Sequence, residues 1–390
     1  MKKILILLIP ILFIAMSAIS TDSRSIEDVI NSDPISETAV VSVSVKETGS
    51  GNVLYARDDK FLLHPASVMK AFSMPYILNK LGKDYKLTTS FYTSPSGKTL
   101  YIKLSGDPLF KTGDLSAAVK RLKADNINRI ECVIIDDKII DEVNWGVGWM
   151  HDDDENPYMP KYSAYNINRN ISYKGIPVKD PKQNFIGILK YLFKQNAITF
   201  NGAVKSGNIP SQSVLRYKVN RDLPEVLNII GHKSDNLAAE TLLKIASRDA
   251  NNLTGSTKQG ISELKTYYEQ LGINSEGMII VDASGVSHNN LISTDWMTSV
   301  LLKVNDMPYA EIYRQSLPSP GTGTLRNRLE EYSGRLYAKT GTLSAISGIA
   351  GYVKSDSGKV YAFALLIQNY EDTDKAKELE DKIIKGIMKL

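Results

Sequence analysis

The sequence predicts an α/β protein, and three observations support that class. Strand-like alternation occurs at both ends of the chain, at 40–57 and 335–353, while segments of helical spacing follow the first stretch and flank 234–236. Between them, 88–218 carries many short β-rich runs separated by turn residues.

Taken in order, residues 1–20 begin with two lysines, continue in an apolar run from Ile4 to Met16 and end in small residues around Ala18-Ile19-Ser20. That pattern is expected of a secretory signal rather than a spanning helix, with cleavage near Ser20. Residues 40–57 alternate on both sides of Thr48-Gly49-Ser50-Gly51, which reads as a β-hairpin. Next, Met69, Phe72, Met74, Ile77, Leu78 and Leu81 form a helical stripe that Gly82 stops, placing Ser67 at the helix start and Lys70 one turn later on the same face. Within 88–218, runs at 90–92, 100–104, 130–135 and 203–205 read as strands and 185–195 as a helix. Two helix-like segments, 223–233 and 237–243, enclose Ser234-Asp235-Asn236, and two strand-like ones enclose Lys339-Thr340-Gly341-Thr342. At the end, Ala376, Leu379, Ile383, Ile387 and Leu390 repeat at helical spacing, expected to pack on the sheet rather than lie on a membrane surface.

The chemistry resides in Ser67-Val68-Met69-Lys70, Ser234-Asp235-Asn236 and Lys339-Thr340-Gly341, a known catalytic set in its known order. Each motif alone is weak, since second copies occur at Ser262–Lys265, Ser287–Asn289 and Lys111–Gly113. Context separates them. Ser262 and Lys265 fall in a polar helical stretch whose charges read as a solvated face, and Lys111-Thr112-Gly113 has no strand flanks and reads as loop. Ser234-Asp235-Asn236 taken alone reads equally well as a helix cap. A serine hydroxyl needs a base to become nucleophilic. Lys70 serves only when neutral, which burial and a second cation favour, and Lys339 is the candidate second cation. Gly341 is expected to admit a substrate backbone.

Composition narrows the alternatives. The net charge of +4 is too small to indicate a nucleic-acid partner. The single cysteine, Cys132, excludes an intramolecular disulfide framework and sits in an apolar run expected to be a buried strand. The four histidines lack metal-ligand spacing, so no metal is expected, and no cofactor fingerprint of the P-loop or Rossmann type is present.

With order and context imposed, the chain resembles the D-alanyl-D-alanine carboxypeptidase and endopeptidase family, the class C penicillin-binding proteins of low molecular mass. The phrases Asn52-Val53-Leu54-Tyr55, Pro65-Ala66-Ser67, Leu104-Ser105-Gly106-Asp107-Pro108, Asp282-Ala283-Ser284-Gly285 and Gly323-Thr324-Leu325-Arg326 carry the likeness across most of the chain. Ser67 and Ser234 lie 167 positions apart, against roughly 60 in small β-lactamases, so a large insertion separates the first two motifs.

The resemblance implies the serine β-lactamase/DD-peptidase (transpeptidase-like) fold, an antiparallel sheet flanked by helices with a helical lobe, formed by 21–87 and 219–390. Residues 88–218 form an inserted, mainly β region. It implies that Ser67 attacks a D-alanyl carbonyl of a peptidoglycan stem peptide while Lys70 takes its proton. Ser234 relays a proton to the leaving amine, Asn236 binds the substrate backbone, and Lys339, Thr340 and Thr342 hold the terminal carboxylate. β-Lactam antibiotics acylate the same serine, and the protein is expected in the periplasm or cell envelope with at most peripheral membrane contact. Where relatives carry an arginine for the far carboxylate of diaminopimelate, this chain has His288. Trp149, Asp152 or Asp153, and Tyr158 are expected to complete that pocket, with an acidic surface loop as the plainer alternative. A serine β-lactamase, a D-amino-peptide esterase and a non-catalytic envelope scaffold or penicillin sensor are the competing readings.

Overall fold

The computed structural model describes residues 25–150, 155–251 and 254–390. The expected signal at 1–20 lies outside them. The chain runs through α1 (Ile26–Asn31), the hairpin β1 (Val40–Glu47) and β2 (Val53–Arg57), and α2 (Lys70–Leu81). It continues through β3 (Lys86–Thr93), β4 (Thr99–Lys103), α3 (Thr112–Ala124), β5 (Arg129–Asp136), α4 (Pro181–Gln195), β6 (Thr199–Ser206) and β7 (Val214–Asp222). Five helices follow: α5 (Leu223–His232), α6 (Asn236–Ala246), α7 (Thr257–Gln270), α8 (Thr294–Asn305) and α9 (Ala310–Ser316). β8 (Leu336–Leu343), β9 (Ile346–Lys354), β10 (Val360–Gln368) and α10 (Thr373–Met388) complete the chain.

The first sheet has the order β2-β1-β10-β9-β8, every neighbour antiparallel, which joins the two ends of the chain. Period-two alternation in β1 explains how it is covered on both faces. Val41, Val43 and Val45 share a core with Leu379, Ile383 and Ile387 of α10. Ser42, Ser44 and Lys46 face α8, where the two hydroxyls meet those of Thr294 and Thr298 at 2.8 Å and Lys46 Nζ lies 2.7 Å from Asp295 Oδ1. The expected packing of the C-terminal helix on the sheet holds for Ala376, Leu379, Ile383 and Ile387, but Leu390 follows the helix and is exposed. No helix among the described residues is long and apolar enough to cross a membrane.

Helices α2, α5, α6, α7 and α9 form the lobe beside this sheet. α2 is enclosed from Lys70 to Leu78, as expected of a helix with little polar face, and Gly82 ends it at a φ of 79°.

The second sheet has the order β6-β5-β4-β3-β7 and is mixed: β3 pairs antiparallel with β4 and β7, whereas β4–β5 and β5–β6 are parallel. Parallel neighbours require crossover connections, and α3 and α4 lie within them. The interval read as mainly β therefore also contains two helices. The Lys111-Thr112-Gly113 copy is not loop: Lys111 precedes α3, and its N–H donates to Asp114 Oδ2 at 2.8 Å. Leu115, Ala118, Val119 and Leu122 give that helix its buried face. Cys132 is half-buried rather than buried; the fully enclosed side chains beside it on β5 are Val133 and Ile135, on the opposite face.

Candidate active site

Ser67 lies in a 3-10 turn, Ala66–Met69, that runs directly into α2. Ala66 adopts a left-handed φ of 46°, a conformation that costs a non-glycine residue about 1–3 kcal/mol and that persists only when neighbours enforce it. Gly285 is one such neighbour. Its own φ is 77°, and a β-carbon there would sit 1.7 Å from the Ala66 carbonyl oxygen, so the 282–287 loop reaches the turn only as glycine.

Lys70 Nζ donates to Ser67 Oγ at 2.9 Å, Asn236 Oδ1 at 2.6 Å and the Ser284 carbonyl at 2.6 Å. An ammonium has three hydrogens, so all are used. When Lys70 loses one proton, the two carbonyl-type acceptors hold the remaining pair and the lone pair faces Ser67. Burial lowers the Lys70 pKa to about 8, against the opposing pull of Asp282, Glu240 and Asp235.

The second motif turns the corner from α5 into α6. Ser234 is half-buried at a φ of 54°. Asp235 takes the capping role, accepting from the Ala238 N–H at 2.9 Å. Asp235 caps α6, and Asn236 reaches Lys70. The Asn236 amide donates on its other side to the Tyr158 carbonyl at 2.9 Å.

One turn along α6, Glu240 accepts from the Ala283 and Ser284 N–H groups at 3.0 and 2.8 Å, fixing the peptide whose carbonyl receives Lys70. Burial, reinforced by the charge of Asp282, pushes its carboxyl up to about 8. Asp282 accepts from Gly285 N, Ser287 N, Asn290 Nδ2 and Trp149 Nε1 at 2.7–3.0 Å. Sequence reasoning missed the supporting roles of Glu240, Asp282 and Ser284. Glu240 had a signal, since it lies four residues after Asn236 on a predicted helix and so shares its face. The Ser284 carbonyl had none, because any residue supplies that atom.

Lys339, Thr340, Gly341 and Thr342 lie on β8 itself, an edge strand, rather than in a turn beside it. Lys339 is fully buried and donates to the Thr340 carbonyl at 2.7 Å; burial, then repulsion from Lys70, holds its pKa well below the usual lysine value. Burial lowers the pKa of both lysines, and the repulsion between them acts on the pair. Thr340 Oγ1 donates to Thr324 Oγ1 at 2.6 Å, and Thr342 is exposed. The requirement for glycine at 341 comes from the protein's own backbone: a β-carbon would lie 2.8–2.9 Å from Val68 N, Pro65 O and Ser67 N.

Of the expected side-chain pocket, Asp152 and Asp153 lie outside the described residues. Trp149 is 7% exposed, its indole committed to Asp282 and packed edge-to-face on Trp145 and Tyr162. Tyr158 is 73% exposed with its carbonyl at Asn236, and His288 is exposed, its ring 5.8 Å from that of His64. The duplicate motifs do not assemble: Lys265 donates to the Met278 carbonyl, and Ser262 is exposed on α7.

Three comparisons agree with this geometry. The model of the D-Ala-D-Ala carboxypeptidase 3 (S13) family matches residues 23–176 and 172–389. The chain is 25% identical to a D-alanyl-D-alanine carboxypeptidase of Actinomadura sp. (strain R39), covering 92% of this chain and 83% of that protein. Its fold is similar to that of penicillin binding protein 4 (dacB) from Haemophilus influenzae, with a TM-score of 0.84, 20% identity and coverage of 94% and 100% of the two chains. The same Haemophilus protein complexed with a β-lactam matches with a TM-score of 0.77.

Proposed function

Since the chain belongs to the D-Ala-D-Ala carboxypeptidase 3 (S13) family, we propose that Ser67 is the nucleophile and Lys70 the base of a serine D-alanyl-D-alanine carboxypeptidase acting on peptidoglycan stem peptides. The observation that carries the assignment is the three-way bonding of Lys70, which leaves its neutral form aimed at Ser67 Oγ.

Ser67 Oγ attacks the carbonyl of the penultimate D-alanine as its proton passes to Lys70. The oxyanion forms between the backbone N–H groups of Ser67 and Thr342, whose removal in such sites costs about 3–4 kcal/mol of barrier. The close approach of Gly341 to Ser67 N supports that placement. Ser234 relays the proton held by Lys70 to the amine of the departing D-alanine, and the Asn236 amide orients the acyl portion. Lys339, Thr340 and Thr342 hold the terminal carboxylate, and water then releases the acyl group from Ser67. The same chemistry serves the D-alanyl to diaminopimelate cross-link, which also follows a D-alanine. Trp149, Tyr158 and His288 flank the side-chain pocket. A β-lactam acylates Ser67, and its retained leaving group obstructs the water. Action on peptidoglycan supports a location in the periplasm or cell envelope, which N-terminal sequencing of exported material tests.

The deciding experiment is intact mass after incubation with benzylpenicillin, alongside Ser67→Ala. A persistent adduct on the wild type alone supports the proposal. No adduct with hydrolysed drug in solution replaces it with a β-lactamase, and no adduct with intact drug removes the acylation step altogether.

A further inference from the structure

A strained turn of the second-sheet region reaches the catalytic corner beside the Tyr158 carbonyl contact. Asn168, Arg169 and Asn170 are all left-handed, with φ of 51°, 57° and 52°, a conformation that residues other than glycine adopt singly and seldom. Hydrogen bonds enforce it. The Asn168 N–H donates to the Phe110 carbonyl at 2.9 Å, and its side chain exchanges two bonds with Thr112, at 3.0 and 2.8 Å. The fully buried Asn170 donates to Lys161 O and Asn166 Oδ1 and accepts from the Ile167 N–H. Asn166 in turn donates to Thr241 Oγ1 on α6 at 3.3 Å.

Such over-determined strain has a structural product, and here it is the position of Arg169. Its guanidinium lies 2.6 Å from Asp235 Oδ2, while the other carboxylate oxygen of this buried aspartate caps α6. Asp235 stands between Ser234 and Asn236. We propose that Arg169 is a positioning residue for acylation: its ion pair with Asp235 fixes the corner that delivers Asn236 to Lys70 and offsets a carboxylate charge that would otherwise bear on Lys70. This rests on the assignment of Ser67 and Lys70 as the acylating pair.

The groups that face Lys70 are Lys339 from β8, Asp235 at the α6 cap, Asp282 from the loop after α7 and Glu240 on α6, whose own carboxyl is held up at about 8 by burial; each carboxylate, when ionised, favours the protonated lysine. Losing the Arg169 charge leaves the Asp235 field unopposed, so Lys70 must hold its proton to higher pH.

The test is the rate of benzylpenicillin acylation from pH 6 to 10, read by intact mass for wild type, Arg169→Lys, Arg169→Gln, Asp235→Asn and the double variant Arg169→Gln/Asp235→Asn. Arg169→Gln should move the acid limb up by roughly half a pH unit, about a threefold loss of rate on that limb, with Arg169→Lys close to wild type. Asp235→Asn should move the limb down, and the double variant should fall between the two single ones. An unmoved limb in Arg169→Gln overturns the proposal even if the rate falls, because a purely structural brace lowers it equally at every pH. If that variant does not fold, an unmoved or raised limb in Asp235→Asn overturns it. A wild type that forms no Ser67 adduct sinks the site assignment instead, so the two failures are distinguishable.

Discussion

Replacing Gly341 with alanine places a methyl group 2.8 Å from Val68 N and 2.9 Å from Pro65 O and Ser67 N. Ordinary van der Waals contact begins near 3.4 Å, so a separation of about half an ångström must open between β8 and the Ser67 turn. All three obstructing atoms are backbone, and no side-chain rotation relieves them. Overpacking of this kind costs about 1–3 kcal/mol of stability. The larger effect falls on chemistry, because the turn carries the nucleophile and the strand carries Lys339 and Thr342. A misplacement of about 1 Å costs about 100-fold, so half that predicts roughly a tenfold fall in the benzylpenicillin acylation constant. Intact-mass kinetics measures the rate, and calorimetry the melting temperature. A variant that acylates within twofold of wild type with an unchanged melting temperature would refute the claim that Gly341 sets the strand-to-turn spacing.

Two further outcomes follow from Lys70. With its pKa near 8, only about a tenth of the enzyme holds it neutral at pH 7 and half at pH 8. Acylation should therefore rise about tenfold from pH 7 to pH 9–10, and a flat profile would remove Lys70 as base. The same shift acts on stability. Between a folded pKa of about 8 and an unfolded value of 10.5 the unfolded chain binds the extra proton, so wild-type stability from this group increases as pH rises through that window. Lys70→Met, which removes the buried ammonium but leaves Asn236 Oδ1 and the Ser284 carbonyl without that donor, should be more stable than wild type at pH 7 by about 1–2 kcal/mol. The gap should close near pH 9 and reverse by pH 10.5, because the full shift from 10.5 to about 8 is worth about 3 kcal/mol; a gap constant with pH in melting experiments would contradict the shifted pKa.

Much of the site was legible because its residues stand close together in sequence. Ser67 and Lys70 share one helical turn, and Lys339 to Thr342 share one strand, so local periodicity sufficed. Trp149 shows where that ends: its indole hydrogen-bonds Asp282, 133 positions away, and no local pattern encodes such a contact. Lys111 is a different case: Lys-Thr-Gly without strand flanks reads as loop, whereas in the folded chain it precedes a helix that buries Leu115, Ala118, Val119 and Leu122.

The sequence by itself determined the α/β class, the hairpin, the helix starting at the nucleophile and the three motifs, because each follows from side-chain spacing along a few residues. It also carried the family, through motif order. Tertiary structure alone decided which carbonyl receives Lys70, that burial lowers its pKa, and that Gly341 serves the protein's own packing. It likewise brought Arg169 to Asp235. Each of these depends on segments far apart in the chain being pressed together, where desolvation and sub-ångström distances set the energies, and neither quantity exists until the chain has folded.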